Sequence, residues 1–327
     1  MTGRDRGRGR GRGRGRSRGA RTPSPTTPSS SSSYMYEEVP VLFEFVLVLK
    51  GDSRGTQRLP DTFADFIAGD ERPGTLHPRE DYAMWHTVPG KYFGLRAEIS
   101  IWASPNQTES QESGASLQIY CQDGGHYNMI EAGFHVSPSL YHNTEVHFFT
   151  YWTKDSKSAG CYNLQCPGYV PTTGAALVPG QVVTPPSSYG VQDRYIRLSL
   201  NKDPNSGDWV VYRHDLETPS FLGYFPIGLC SKMPVIEALT GFVNYFNNTH
   251  GPPMGSGHLP NMENSDKKIA YFKHIKKYNS GGHTYDPILL DMRDLADRPD
   301  CYKQDTLSLA LGRGYVFYYG GPSGCIG

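Results

Sequence analysis

Glu131 is the side chain with the strongest claim to chemistry in this chain. It stands in Met129-Ile-Glu-Ala-Gly-Phe-His-Val136. Strand alternation there puts Ile130, Ala132, Phe134 and Val136 on one face, and Glu131 with Met129, Gly133 and His135 on the other. A glycine beside a carboxylate on a sheet surface leaves room for a second backbone to approach, which a peptide-cleaving cleft requires. Pattern alone still favours a plain solvated glutamate, so a catalytic role needs support from elsewhere. Other constellations are weaker. His250 and His258 flank a Gly-Pro-Pro turn, and His142 and His147 lie near a strand, but their spacing fits no zinc signature. Ser256 in Met-Gly-Ser-Gly-His lacks the Gly-x-Ser-x-Gly spacing of a nucleophile elbow. No metal or cofactor is expected.

The six cysteines allow fifteen complete pairings, and two pairs have a physical argument. Cys161 and Cys166 bracket a tight turn in Cys-Tyr-Asn-Leu-Gln-Cys-Pro-Gly, directly after the aromatic strand His147-Phe-Phe-Thr-Tyr-Trp152. Cys301 and Cys325 enclose the last strand, where a cross-link prevents fraying. Loop closure suggests ~2 kcal/mol for the short loop and ~3.5 kcal/mol for the longer one. Cys121, which shares a face with Leu117 and Ile119, and Cys230, after Phe-Pro-Ile-Gly-Leu, read as buried thiols. Oxidised cysteines and two sequons, Asn106-Gln-Thr and Asn247-Asn-Thr, favour an exported, extracellular protein.

The elements that position these residues are β-strands. From about Tyr82 onward, short β-type runs are separated by Gly, Pro, Asn and Asp, and helical periodicity is nearly absent. Tyr92–Ser104, Tyr195–Leu200, Trp209–Tyr212, Phe221–Ile227 and Gly314–Tyr319 read as strands, and ten or more are expected. The fold class is all-β, with one domain over residues 81–327.

Residues 1–80 read differently. Residues 3–19 are almost pure Arg-Gly repeat and Thr22 to Ser33 contain only Thr, Ser and Pro, so neither stretch has apolar side chains to offset ordering entropy. A disordered tail is expected. Val39 to Leu49 is apolar but is interrupted by Pro40 and Glu44 and is too short to span a bilayer, so no membrane anchor is expected. No signal peptide is evident at the N-terminus. The formal charge of zero hides an asymmetry: nine arginines lie in residues 1–21 beside Asp5, which leaves 23 cationic against 31 acidic side chains, or −8, in residues 22–327. The tail alone suits RNA, whereas the acidic body argues against a nucleic-acid partner.

The chain from Tyr82 to Cys325 resembles the neprosin family of plant glutamic peptidases. The resemblance lies in Ile-Glu-Ala-Gly-Phe-His-Val-Ser-Pro (130–138), Thr-Tyr-Trp-Thr (150–153), Gly-Cys-Tyr-Asn-Leu-Gln-Cys-Pro-Gly-Tyr-Val (160–170), Gly-Tyr-Phe-Pro (223–226), Met-Gly-Ser-Gly-His (254–258) and Phe-Tyr-Tyr-Gly-Gly-Pro (317–322). It implies a β-sandwich of two packed antiparallel sheets with a peptide groove across one of them, and disulfides at Cys161–Cys166 and Cys301–Cys325. It also implies cleavage after proline by two glutamates. The first falls on Glu131. The second falls on Phe242, in Ala238-Leu-Thr-Gly-Phe-Val-Asn-Tyr245, where a benzyl group can neither transfer a proton nor hold a water. The nearest carboxylate, Glu237, lies an odd number of residues away and is expected on the opposite face. Phe134, Tyr151, Trp152, Phe242 and His258 are expected to line the groove, as aromatic walls do in other proline-recognising sites. The expected protein is a secreted monomer acting on proline-containing peptides with an incomplete pair of acids. The alternative is a non-catalytic peptide- or cell-wall-binding sandwich.

Overall fold

The computed structural model describes residues 79–123, 126–155, 159–233, 235–261 and 265–326. The Arg-Gly tract, the Ser/Thr/Pro tract and the Val39–Leu49 run lie outside these residues.

Alternating apolar and polar side chains, punctuated by turn residues, produce seventeen strands among the described residues. They are β1 (Arg79–Thr87), β2 (Gly94–Ser100), β3 (Gln111–Asp123), β4 (His126–Val136), β5 (His147–Lys154), β6 (Ala159–Tyr162), β7 (Val170–Pro171), β8 (Tyr195–Lys202), β9 (Trp209–Arg213), β10 (Ser220–Phe225), β11 (Val235–Tyr245), β12 (Ala270–Tyr278), β13 (Thr284–Tyr285), β14 (Met292–Ala296), β15 (Lys303–Gln304), β16 (Ser308–Ala310) and β17 (Gly314–Gly320). One short helix, α1 (Pro138–Tyr141), follows β4 and ends on His142 in the left-handed conformation.

The strands form two antiparallel sheets. The first has seven strands in the order β14-β1-β11-β3-β4-β5-β6; the second runs β15-β17-β12-β2-β8-β9-β10-β7, with β13 added to β12 and β16 to β17. The all-β sandwich read from the sequence is the fold observed. Its main core lies between the sheets, where Leu117, Ile119, Ile130, Ala132 and Phe148 of the first meet Ile99, Leu198, Leu200, Trp209 and Phe272 of the second. Each large side chain buried there contributes roughly 1.5–3 kcal/mol. Glu237 also points into this interior. Its Oε2 lies 2.9 Å from Lys277 Nζ on the second sheet, and its Oε1 accepts the Gly94 N–H at 2.5 Å. Glu237 therefore cannot serve the outer face, as its odd spacing from Phe242 implied.

All six cysteines are paired. Cys161–Cys166 and Cys301–Cys325 form as expected, with Cα separations of 6.3 and 6.0 Å. The reading of Cys121 and Cys230 as thiols is corrected: they form a third disulfide, with Cα atoms 5.6 Å apart. Cys121 faces inward from β3, and Cys230 ends the 3-10 turn Ile227–Leu229 after β10, so the bond staples one sheet to the other. Sequence proximity could not reveal it, because 109 positions separate the partners.

A carboxyl pair at one sheet edge makes stability depend on pH. Asp81 is buried and accepts from the Arg79 guanidinium at 3.0 Å and from the Tyr245 hydroxyl at 2.5 Å. Nearby Asp297, whose Oδ2 accepts the Tyr82 N–H at 3.2 Å, is pushed up to about 7 by burial and then by the charge of Asp81. The unfolded chain ionises first. The contribution of protonated Asp297 is therefore fully present below the ordinary aspartate range and is lost as pH rises through about 7. Asp297→Asn, which keeps an acceptor for Tyr82, is expected to raise Tm at pH 8 while leaving it nearly unchanged at pH 4. Thermal melts across this range check it, and an equal loss of Tm at both ends would show that the carboxyl has no such role.

Candidate active site

The sheet registers array the outer face of the first sheet in rows. One row crosses β11, β3, β4, β5 and β6 as Ala238, Gln118, Glu131, Tyr151 and Tyr162. The next holds Thr240, Ser116, Gly133 and Phe149, and the third holds Phe242, Gly114, His135 and His147. The alternation that sends Ile130 and Ala132 inward places Glu131 in the first of these rows. Both faces of β4 and β11 are buried, and Glu131 is wholly inaccessible rather than the solvated glutamate that pattern alone favours.

Glu131 is built into a polar chain. Its Oε1 accepts from Gln118 Nε2 at 3.0 Å. The Gln118 Oε1 accepts two hydroxyls, Tyr120 and Thr240, each at 2.7 Å. Those two donors fill the amide oxygen and fix the orientation of the amide, so its nitrogen faces Glu131. Gln118, Tyr120 and Thr240 were not picked out from sequence. A signal existed in Gly124-Gly125, a two-residue hairpin dipeptide. Counting outward from it pairs Asp123 with His126 and so Gln118 with Glu131.

The residues expected to line the groove divide. Tyr151 and Phe242 share the face of Glu131. Phe242 sits two rows from it, with its ring over Gly114, where an added Cβ would lie 2.6 Å from Phe242 Cζ, and edge-on to Phe149 at 5.9 Å. Thr240, one row away, is the β11 side chain joined to Glu131 through Gln118. Phe134 points the other way, into the core against Phe148 at 5.9 Å, as its odd offset from Glu131 requires. Trp152 likewise leaves the outer face and covers Gly168. His258 is exposed on a loop and stacks on Tyr189 at 4.2 Å.

A second polar cluster occupies the far end of the same face. Glu112 and His135, both buried, meet at 2.5 Å, and Asn244 Nδ2 donates to Glu112 at 2.8 Å. His135 Nε2 lies 2.8 Å from the Tyr141 hydroxyl, which burial pushes well above its ordinary pKa. The His135 ring stacks on Phe149 at 4.0 Å. Glu112 is six residues from Gln118 along β3, about 20 Å of extended chain. The two polar clusters thus sit at opposite ends of a floor made of Ser116, Gly133 and Gly114 and walled by Phe149, Tyr151 and Phe242.

A family model described as Neprosin matches residues 109–322. Among solved structures, the chain is similar to Scytalido-glutamic peptidase with a peptide-based transition-state analogue, at 6% identity and a TM-score of 0.36. It is similar to the same peptidase with a transition-state analogue inhibitor at 9% and 0.38. SCP-B, a member of the Eqolisin family of peptidases in a complex with the tripeptide Ala-Ile-His, matches at 7% and 0.39. Each comparison covers 73% of this chain and 97% of the other.

Proposed function

Because this chain belongs to the neprosin family, we propose that its outer-face site is a glutamic peptidase centre of reduced power that cuts peptides on the carboxyl side of proline. The observation that carries this reading is the buried Glu131 carboxyl held 3.0 Å from the amide of Gln118. Hydrolysis of an amide without a metal or an acyl-enzyme needs a base for water, a donor for the developing oxyanion and an acid for the departing nitrogen. Glu131 can take the proton of water. An N–H of Gln118, oriented by Tyr120 and Thr240, can donate to the oxyanion. The acid is then Glu131 again, returning the proton it took, because the position of a second glutamate holds Phe242. One carboxyl doing both tasks in turn is slower than two carboxyls poised in opposite protonation states.

The aromatic wall of Tyr151, Phe149 and Phe242 supports proline as the residue before the cut, since a rigid pyrrolidine ring packs on aromatic faces at little entropic cost. Three disulfides are consistent with an extracellular protein, and secretion is part of the same proposal. Turnover also requires this buried face to open to substrate.

The test is incubation of the protein near pH 4, where a carboxyl and its carboxylate coexist, with a peptide containing a single internal proline. Fragments are identified by mass. Slow cleavage after proline is expected. Binding without turnover would replace the peptidase with a peptide-binding module.

A further inference from the structure

We propose that Asn106 and Asn247 are both N-glycosylated, which places two glycans side by side at one end of the first sheet and away from Glu131. The chain contains two Asn-x-Ser/Thr sequences over its whole length, Asn106-Gln-Thr108 and Asn247-Asn-Thr249. Both asparagines are exposed in turns, and neither side chain makes a hydrogen bond among the described residues. Other asparagines, such as Asn128, Asn201 and Asn244, are buried and lie outside any such sequence. Asn248 takes a left-handed φ of 61°, which asparagine tolerates, and turns the chain sharply just after Asn247.

Topology brings the two turns together. Asn106 precedes β3 and Asn247 follows β11, and the register pairs Gln111 with Tyr245 at this end of the sheet. Gln111 Nε2 donates to the His250 carbonyl at 2.7 Å, tying one turn to the other. Between them lies a cleft of about 430 Å³ lined by Asn106, Gln111, His250, Pro252, Pro253 and Ser256. The C-terminal segment is fastened here too, with Gly251 N–H donating to the Cys325 carbonyl at 2.7 Å. Gln118, beside Glu131, is seven residues from Gln111, about 23 Å along the strand. Glycans at this end therefore cover the clasp made by the C-terminus and leave the polar chain of Glu131 uncovered.

The modification forms a C–N bond between Asn Nδ2 and the anomeric carbon of an oligosaccharide carried on a polyprenyl diphosphate. The diphosphate leaves with the bonding pair, and the amide gives up one proton. Each glycan adds a bulky, solubilising group to the surface. The inference rests on exposure, spacing and register, and stands apart from the proposed peptidase activity.

The full chain, directed into the secretory pathway of a eukaryotic host, is the material for the test. Mass analysis before and after treatment with an amidase that removes N-glycans should show two glycans, with Asn106 and Asn247 converted to aspartate. Thr108→Ala and Thr249→Ala, which leave each asparagine in place, should each remove one glycan. Only secreted protein with its disulfides formed is scored. A mass corresponding to one glycan or none on that protein would overturn the proposal.

Discussion

Glu131→Gln is expected to lower kcat/KM for a proline-containing peptide by about 10²–10⁴-fold, the range supplied by a positioned acid–base group. The substitution is nearly isosteric and retains an oxygen to accept from Gln118, so the fold and Tm should hold. What it removes is the proton-accepting oxygen pair. The loss should therefore fall on kcat with KM little changed, because the aromatic wall proposed to hold proline is untouched. Glu237→Gln is the informative contrast. That residue sits between the sheets with Lys277 and never meets substrate, so its change should lower stability by leaving a buried ammonium unpaired while sparing the chemistry of the folded fraction. If Glu131→Gln kept its turnover within a few-fold of the parent protein, Glu131 would not be the acid–base group.

Replacing both Cys121 and Cys230 by alanine should cost more stability than opening either of the other disulfides. Loop-closure entropy grows with the length of chain enclosed. The 109-residue separation corresponds to about 5 kcal/mol, against ~2 kcal/mol for Cys161–Cys166. At roughly 2–4 °C per kcal/mol for a domain of this size, Tm should fall by about 10–20 °C in the first case and about 4–8 °C in the second. Calorimetry of the two double variants measures this directly. Equal losses would show that the bond between the sheets constrains the unfolded chain no more than the local clip does.

These two experiments mark how far the sequence could be read. Strand alternation is a local property with a period of two, so Glu131 could be placed on the face opposite Ile130 and Phe134 from eight residues alone, and Glu237 opposite Phe242 from a count of five. The same rule, applied consistently, would have removed Phe134 from the groove lining, whereas Trp152 is sent away from Glu131 by the register of β5 on β4. The two disulfides of short span were legible for a similar reason: a turn brings its own ends together.

Contacts between strands distant in sequence were a different matter. Gln118 meets Glu131 because a hairpin folds β3 onto β4, and Thr240 joins them because β11, more than a hundred residues later, pairs with the other edge of β3. Cys121 finds Cys230 only when the two sheets stack.

By itself the sequence determined which residues alternate, which face each one takes and therefore that a single carboxylate, Glu131, rises from a glycine-bearing strand on the face opposite Ile130 and Phe134. Tertiary structure alone decided its company: a glutamine locked by two hydroxyls, a phenyl ring two rows away and complete burial. The physical reason is that side-chain direction follows from the geometry of one strand, whereas strand order and register are set by the burial of both sheets at once.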